Sequence, residues 1–384
     1  MRFLRSTFLF VIYLLCFVGS VAILYRDSFS VRKSPSVPRP SESGVIFYDR
    51  WRAADGYNVV NTSLEQPSCV VYSMRGDFVF RFPGGFCHFL SSGEFFTVSS
   101  NSLQFYNSSG RPEWKIQEEF IHQMSHLSAD EKEIFIIAGE TRLDRGKRIR
   151  YESIQGYSLK GEKTFDWKVS DNMDDFTEAN FPFIQMRPTT AFGNFYHLTN
   201  INSVQVIPPN VLEEDMPAFK SGNILINDFR FGVMFIVDRM TKKIVWSHQI
   251  SKKDWGGAQT ATLLPNGHLV YFLNQNELEK GNFYSSLVEW DPVLNLPVWE
   301  YKADPVELFK MKTGGAVFPL SNGNKLVTHG TNGGAAFEVT PSGRVVWEWI
   351  YPVKNIQNQA EPVYQVQRVS KDKVDKVLKV WKFN

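Results

Sequence analysis

The chain has 384 residues, is 43% hydrophobic and 21% charged, and carries a formal net charge of +2. That length suits one large domain or two small ones, and the composition is that of a packed globular protein. The near-neutral charge, with no Lys/Arg run interleaved with aromatics, argues against nucleic acid as a partner. Aromatic residues reach 15%, including 32 Phe, which suits many half-buried strands.

The first thirty residues stand apart. Arg2 and Arg5 precede FLFVIYLLCFVGSVAILY, Phe8 to Tyr25, a run without a charge. Eighteen residues of helix span roughly 27 Å, enough to cross a bilayer core. The segment is read as one uncleaved transmembrane helix with its short tip in the cytoplasm. A cleaved signal peptide ending near Val18-Gly19-Ser20 is the competing reading. The expected organisation is tip and anchor over 1–27, a Ser/Pro-rich linker over 28–44, a folded domain over 45–370 and a basic tail over 371–384. The tail, DKVDKVLKVWKFN, is read as an extra edge strand or a loose end. Of the three cysteines, Cys16 lies in the span. Cys69 and Cys87 would pair in an extracytoplasmic domain, or stay as two buried thiols. Asn61-Thr-Ser and Asn107-Ser-Ser fit the glycosylation pattern.

From residue 57 onward the chain repeats itself. YNVVNTS, SCVVYSMRG and DFVFRF read as three strands. Phe86 to Gln117, Phe120 to Val169 and Asn202 to Ile250 each hold four short strands. Two later units open with nearly the same phrase, GGAQTATLLPNG at Gly256 and GGAVFPLSNG at Gly314, and each continues through three more strands. Asn-Gly in these phrases supplies a tight turn between the first two strands. The last strand of each full unit carries a tryptophan: Trp114, Trp167, Trp246, Trp299 and Trp347. These rings are expected to cover the gaps between neighbouring units. The long gap between Trp167 and Trp246 holds insertions around Asp171–Asn194 and Pro209–Lys220. Finally PVYQVQRVS gives a single strand. It completes the three N-terminal strands as a sixth unit and seals a ring. The predicted fold is therefore all-β: a six-bladed β-propeller of four-stranded blades, closed by N- and C-terminal strands.

Several of these phrases carry a resemblance. NINSVQVIPPN, SGNILINDFR with IVDRMTKKIVW, QTATLLPNGHLVYFLN and NGNKLVTHGTNGGAAFEVTPSGRVVWEW are similar to the arylsulfotransferase family, over roughly Phe120 to Val369. The resemblance implies a six-bladed propeller outside the cytoplasm that moves a sulfuryl group between phenols through a sulfated histidine at the channel mouth. The chain departs from the family where the chemistry sits. Asn200 and Gln259 stand where the family has histidines. An arginine expected at Phe229 comes one place late, as Arg230. His122 is the one position where the family's histidine is kept.

A carboxamide is no nucleophile at neutral pH and has no accessible proton-transfer pKa, although it donates and accepts hydrogen bonds. Propeller connectivity gathers the starts of first strands and the second-to-third loops on one face. That face should collect His122, Asn200, Arg230, Gln259, Asn274 and His329. His122 and His329 are the candidate catalytic groups. Asn200, Asn202, Arg230, Gln259 and Asn274 are the candidate ligand-binding groups. His197, in the insertion, could fold inward. His268 reads as structural on the opposite face, and His88, His126 and His248 as strand residues without partners. Asp171-Asn-Met-Asp-Asp has oxygen ligands but lacks the spacing and glycine of a Ca²⁺ hand, so it reads as a solvated acidic loop. No CxxC, HExxH, GxSxG or phosphate-binding glycine loop occurs, so neither metal nor cofactor is expected.

The functional expectation is a membrane-tethered, arylsulfotransferase-like propeller with a degenerate site, acting as a binding or scaffold ectodomain. Its expected partners are an aryl sulfate or phenolic small molecule and the membrane. The alternative is an active aryl sulfotransferase that uses a substitute histidine.

Overall fold

The computed structural model describes residues 32–36, 42–62, 68–144, 146–178, 187–188, 195–251, 256–277, 282–329, 334–354 and 360–381. The candidate membrane run Phe8–Tyr25 lies outside them. Among the described residues no helix is long and apolar enough to cross a membrane.

The described strands form six sheets, each built on the four antiparallel strands of a blade. In blade 1 the C-terminal strand Val363–Val369 is innermost. Tyr57–Thr62, Ser68–Tyr72 and Phe78–Pro83 complete it. The pairing of Tyr57 with Val369 therefore closes the ring between chain ends, as the repeat predicts. Blade 2 runs over Phe86–Gln117, blade 3 over Phe120–Lys168, blade 4 over Ile201–Gln249, blade 5 over Ala258–Tyr301 and blade 6 over Ala316–Ile350. Inner strands of five blades line one central cavity of about 190 Å³, with His126, Gln205, Thr260 and Gln365 among its walls.

An inner strand has no backbone partner on its channel side, and buried donors left unpaired are costly. Side chains supply the missing acceptors from one blade to the next. Ser203 Oγ accepts from Ala261 N–H (3.0 Å), Gln205 Oε1 from Leu263 N–H (2.7 Å) and Thr260 Oγ1 from Val317 N–H (3.1 Å). Thr328 Oγ1 accepts from Val366 N–H at 2.9 Å, and so ties blade 6 to the closing strand.

The outer rims are tied by the repeated tryptophans. Trp114, Trp167, Trp299 and Trp347 each donate their indole N–H to a carbonyl in the third-to-fourth turn of the following blade: Leu159 (2.8 Å), Lys242 (3.1 Å), Pro341 (2.7 Å) and Met74 (3.1 Å). Trp246 instead packs against Phe219 and Trp290. A disulfide joins Cys69 of blade 1 to Cys87 of blade 2, across Cα atoms 5.8 Å apart.

The ends of the chain differ from the sequence expectation. Gly44–Tyr48 adds a fifth strand outside blade 6. Part of the segment read as linker is docked: Arg32 accepts at its carbonyl from Val345 N–H (2.7 Å), and its guanidinium pairs with the buried Glu348 (2.6 Å). The tail is neither a strand nor loose. Lys371–Trp381 is a helix that buries Val374, Val377 and Leu378 at helical spacing. Its Trp381 packs against Phe82 and Phe95 of blades 1 and 2. Of the two glycosylation triplets, Asn61 is wholly buried and bonded to Gln365 and Cys87 N–H, so the folded protein offers no access to its amide. Asn107 holds the turn after Tyr106, accepting from Ser109 and Arg111 N–H.

Candidate functional site

Strand direction fixes which residues share a face. First strands begin, and second strands end, at the same rim. Ile121 pairs with Ala138, Ile201 with Asp228, Ala258 with Leu273 and Ala316 with Thr328. His122, Asn200, Asn202, Arg230, Gln259, Asn274 and His329 all lie at or near this rim. Their side chains divide into two groups.

The blade 5–6 side is built from neutral amides. Gln259 Oε1 accepts from Gly314 N–H at 3.1 Å, and Asn274 Nδ2 donates to the Gly314 carbonyl at 2.8 Å. Both polar groups of one glycine are thus held, just where the chain turns into blade 6. Gly314 and Gly315 have φ of 75° and 90°, and a Cβ on Gly315 would meet the Phe272 ring at 2.8 Å. Gln259 is therefore an interblade tie of the kind made by Thr260. Its counterpart in the second phrase, Val317, is wholly buried and receives such a tie. His329 ends the second strand of blade 6, against Phe309. It is bonded to the Lys310 carbonyl, and burial holds its ring at a pKa of about 4. Its Nε2 is buried and has no hydrogen-bond partner among the described residues, so the proton of the neutral ring sits on Nδ1.

The blade 3–4 side is ionisable. The inserted segment returns as a short strand, Tyr196–His197, that pairs parallel to Ile149 and Arg150 of blade 3. Glu152, two residues further along that strand, is buried. One of its oxygens accepts from Thr199 Oγ1 (2.6 Å) and Ile201 N–H (2.9 Å). Burial pushes its pKa up to about 7, opposed by those two bonds and helped by Asp228. Asp228 is also wholly buried and accepts from Phe231 N–H (2.8 Å) and Asn200 N–H (2.9 Å). Burial raises its pKa to about 6. The two carboxyls thus pin the 199–201 segment from both sides.

Arg230 is completely buried and donates to the carbonyls of His197 and Leu198, the second at 2.8 Å. Phe229, where the resemblance expects the arginine, is buried too. Asn202 is buried at the bulge between Ile201 and Ser203. His122 stands on the inner strand of blade 3 and accepts from Met124 N–H at Nδ1 (3.2 Å). The proton of its neutral ring is therefore on Nε2. Burial lowers its pKa to about 4. His197 is likewise near 4, first by burial and then by Arg150, Arg230 and His122.

The structure brings His122, His197, Arg150, Arg230, Glu152 and Asp228 together, and separately Gln259, Asn274 and Gly314. His329 belongs to the second group, three blades from His122. Sequence reasoning passed over Arg150, Glu152 and Asp228. Arg150 and Glu152 sit two apart on one strand, which puts them on one side of the sheet, but nothing local marks that side as facing the insertion.

Elsewhere, His88 does have a partner, Ser125 Oγ at 2.9 Å, and His248 packs against Trp290. His268 bonds Glu289 at 2.8 Å in the first-to-second turn at the opposite face. Asp175, from the stretch read as a solvated acidic loop, is buried and paired with Lys243 at 2.7 Å. No group of three or more metal-ligating side chains occurs among the described residues.

No protein-family profile and no curated protein matches the chain. Solved structures do. A Bacteroides caccae protein of unknown function aligns with 14% identity over 82% of this chain and 98% of that one, at a TM-score of 0.54. The β-propeller domain of Myceliophteria thermophila Cps50 (Swd1) aligns with 9% identity over 79% and 89%, at a TM-score of 0.46. What the chain shares with the first of these is its fold: an all-β, six-bladed propeller of four-stranded blades.

Proposed function

We propose that this protein is a membrane-tethered, extracytoplasmic binding propeller, related in form to arylsulfotransferases, whose mouth holds a small anionic or phenolic ligand without transferring a sulfuryl group. The observation that carries this reading is the state of its two candidate histidines. Nucleophilic attack needs an imidazole lone pair directed at the ligand. His122 uses its lone pair to accept from Met124 N–H, and its other nitrogen holds the proton. His329 has a lone pair on Nε2, but that atom is buried beside Phe309. Gln259 and Asn274, at the rim of blade 5, are committed to Gly314.

The apolar run Phe8–Tyr25 and the Cys69–Cys87 disulfide support placement outside the cytoplasm, since disulfides persist in oxidising compartments. The test is incubation with 4-nitrophenyl sulfate and a phenol acceptor, following nitrophenolate absorbance. The expected result is no release above buffer. Turnover that vanishes in His122→Ala or His329→Ala would establish the alternative, an active sulfotransferase.

A further inference from the structure

Arg150 is held at the mouth by two aromatic rings. Its guanidinium carbon lies 4.1 Å from the Phe120 ring centroid and 4.0 Å from that of Phe195. Phe120 opens the inner strand of blade 3, and Phe195 leads the returning insertion, so two separate elements supply the two rings. Its Nε is buried and has no hydrogen-bond partner among the described residues. Arg230 beside it donates through Nη1 to the carbonyls of His197 and Leu198. Stacking between rings fixes the plane of a guanidinium while leaving its N–H edge open, the arrangement that receives an oxyanion bidentately.

We propose that Arg150, stacked between Phe120 and Phe195, is the anchor of an anion subsite that takes the carboxylate or other planar-faced oxyanion of a small organic acid at the mouth of the propeller. The inference deepens the reading of the mouth as a ligand site and rests on it. His122 adds a second donor on the same side: with Nδ1 accepting from Met124, its Nε2 carries an N–H. Both rings around Arg150 are apolar, so the ligand's body meets hydrocarbon while its charged end meets the guanidinium.

The charged and titratable groups facing Arg150 are Glu152 on its own strand, Glu119 before the inner strand of blade 3, and His197 on the inserted strand. Behind them stand His122, Asp228 and Arg230. Glu119 is bonded to Thr141 N–H at 2.9 Å and stays ionised through neutral and mildly acidic pH. Glu152 and Asp228 are the groups that change charge between about pH 5 and 8. Protonating them removes negative charge from beside the guanidinium, so the subsite strengthens as pH falls.

Titration calorimetry with benzoate, and with neutral benzamide as control, tests this on the full chain. Saturable benzoate binding is expected at about pH 5.5, weaker by about fivefold at about pH 8, with no benzamide binding. Arg150→Gln should weaken benzoate by about tenfold or more, and Arg150→Lys, which keeps the charge but not the planar stack, should fall between. Absence of saturable benzoate binding, equal binding of benzamide, or wild-type affinity in a folded Arg150→Gln overturns the proposal. If Arg150→Gln does not fold, the wild-type comparison of benzoate with benzamide at the two pH values decides alone. Turnover of 4-nitrophenyl sulfate sinks the non-catalytic reading, whereas loss of benzoate binding sinks this subsite, so the two failures are distinct.

Discussion

The two halves of the channel mouth are made of different chemistry on equivalent scaffolding. At blades 5 and 6 the rim is neutral: Gln259 and Asn274 close on the two polar groups of Gly314. At blades 3 and 4 it is ionisable. Two buried carboxyls pin the 199–201 segment, one arginine caps carbonyls and another stands between two phenyl rings. The same strand positions hold the ring together in one half and poise charge at it in the other. A neutral amide tie contributes only about 1 kcal/mol net, whereas removing one member of a buried charged network costs several times that.

That contrast can be broken by substitution. Asp228→Ala should be the most damaging change. It strands the N–H groups of Asn200 and Phe231 and removes the carboxylate beside the buried Arg230. A loss of about 3–5 kcal/mol in urea unfolding at neutral pH is expected. A loss comparable to that of an amide tie would mean that the network carries no charge.

Glu152→Gln sharpens the comparison through pH. A carboxyl whose folded pKa is raised stabilises the fold while protonated. Glu152 contributes fully below its ordinary value of 4.5, and the contribution is gone above about pH 7. The depressed histidines act oppositely: His122 and His197 contribute above 6.5 and lose it as pH falls through about 4. Stability should therefore peak between these limits. Both bonds to Glu152 go to one oxygen, which a glutamine oxygen can replace. The variant should be more stable than wild type at alkaline pH, by on the order of 3 kcal/mol, with the difference vanishing near pH 4. A pH-independent difference in unfolding midpoint would contradict the buried, titrating carboxyl.

The smallest effect is expected on the neutral side. Gln259→Ala removes one bond to Gly314 N–H and should cost about 1 kcal/mol in the same unfolding measurement. A loss as large as that of Asp228→Ala would show the two halves to be energetically alike.

How much of this could be read from the residues alone differs between ring and site. The blade repeat was legible because each unit rewrites the same local physics: alternation, a tight Asn-Gly turn, and a tryptophan at the last strand that docks on the following blade. The face shared by His122, Asn200, Gln259, Asn274 and His329 was also legible, because antiparallel connectivity alone assigns strand ends to a rim. The tail helix could have been read from Val374, Val377, Leu378 and Trp381, whose spacing is helical. The grouping of the site was not legible. Arg150 and Glu152 belong to an ordinary third strand until the insertion, arriving from some forty residues later, lays His197 beside them.

The sequence by itself determined six blades, their order and the strand exchange that seals them, because those features follow from period and turn chemistry within each unit. Only the tertiary structure decided which polar side chains are spent on neighbouring blades and which remain poised at the mouth. Hydrogen-bond partners and burial are set by contacts between units, and those contacts leave no mark in the period of any one of them.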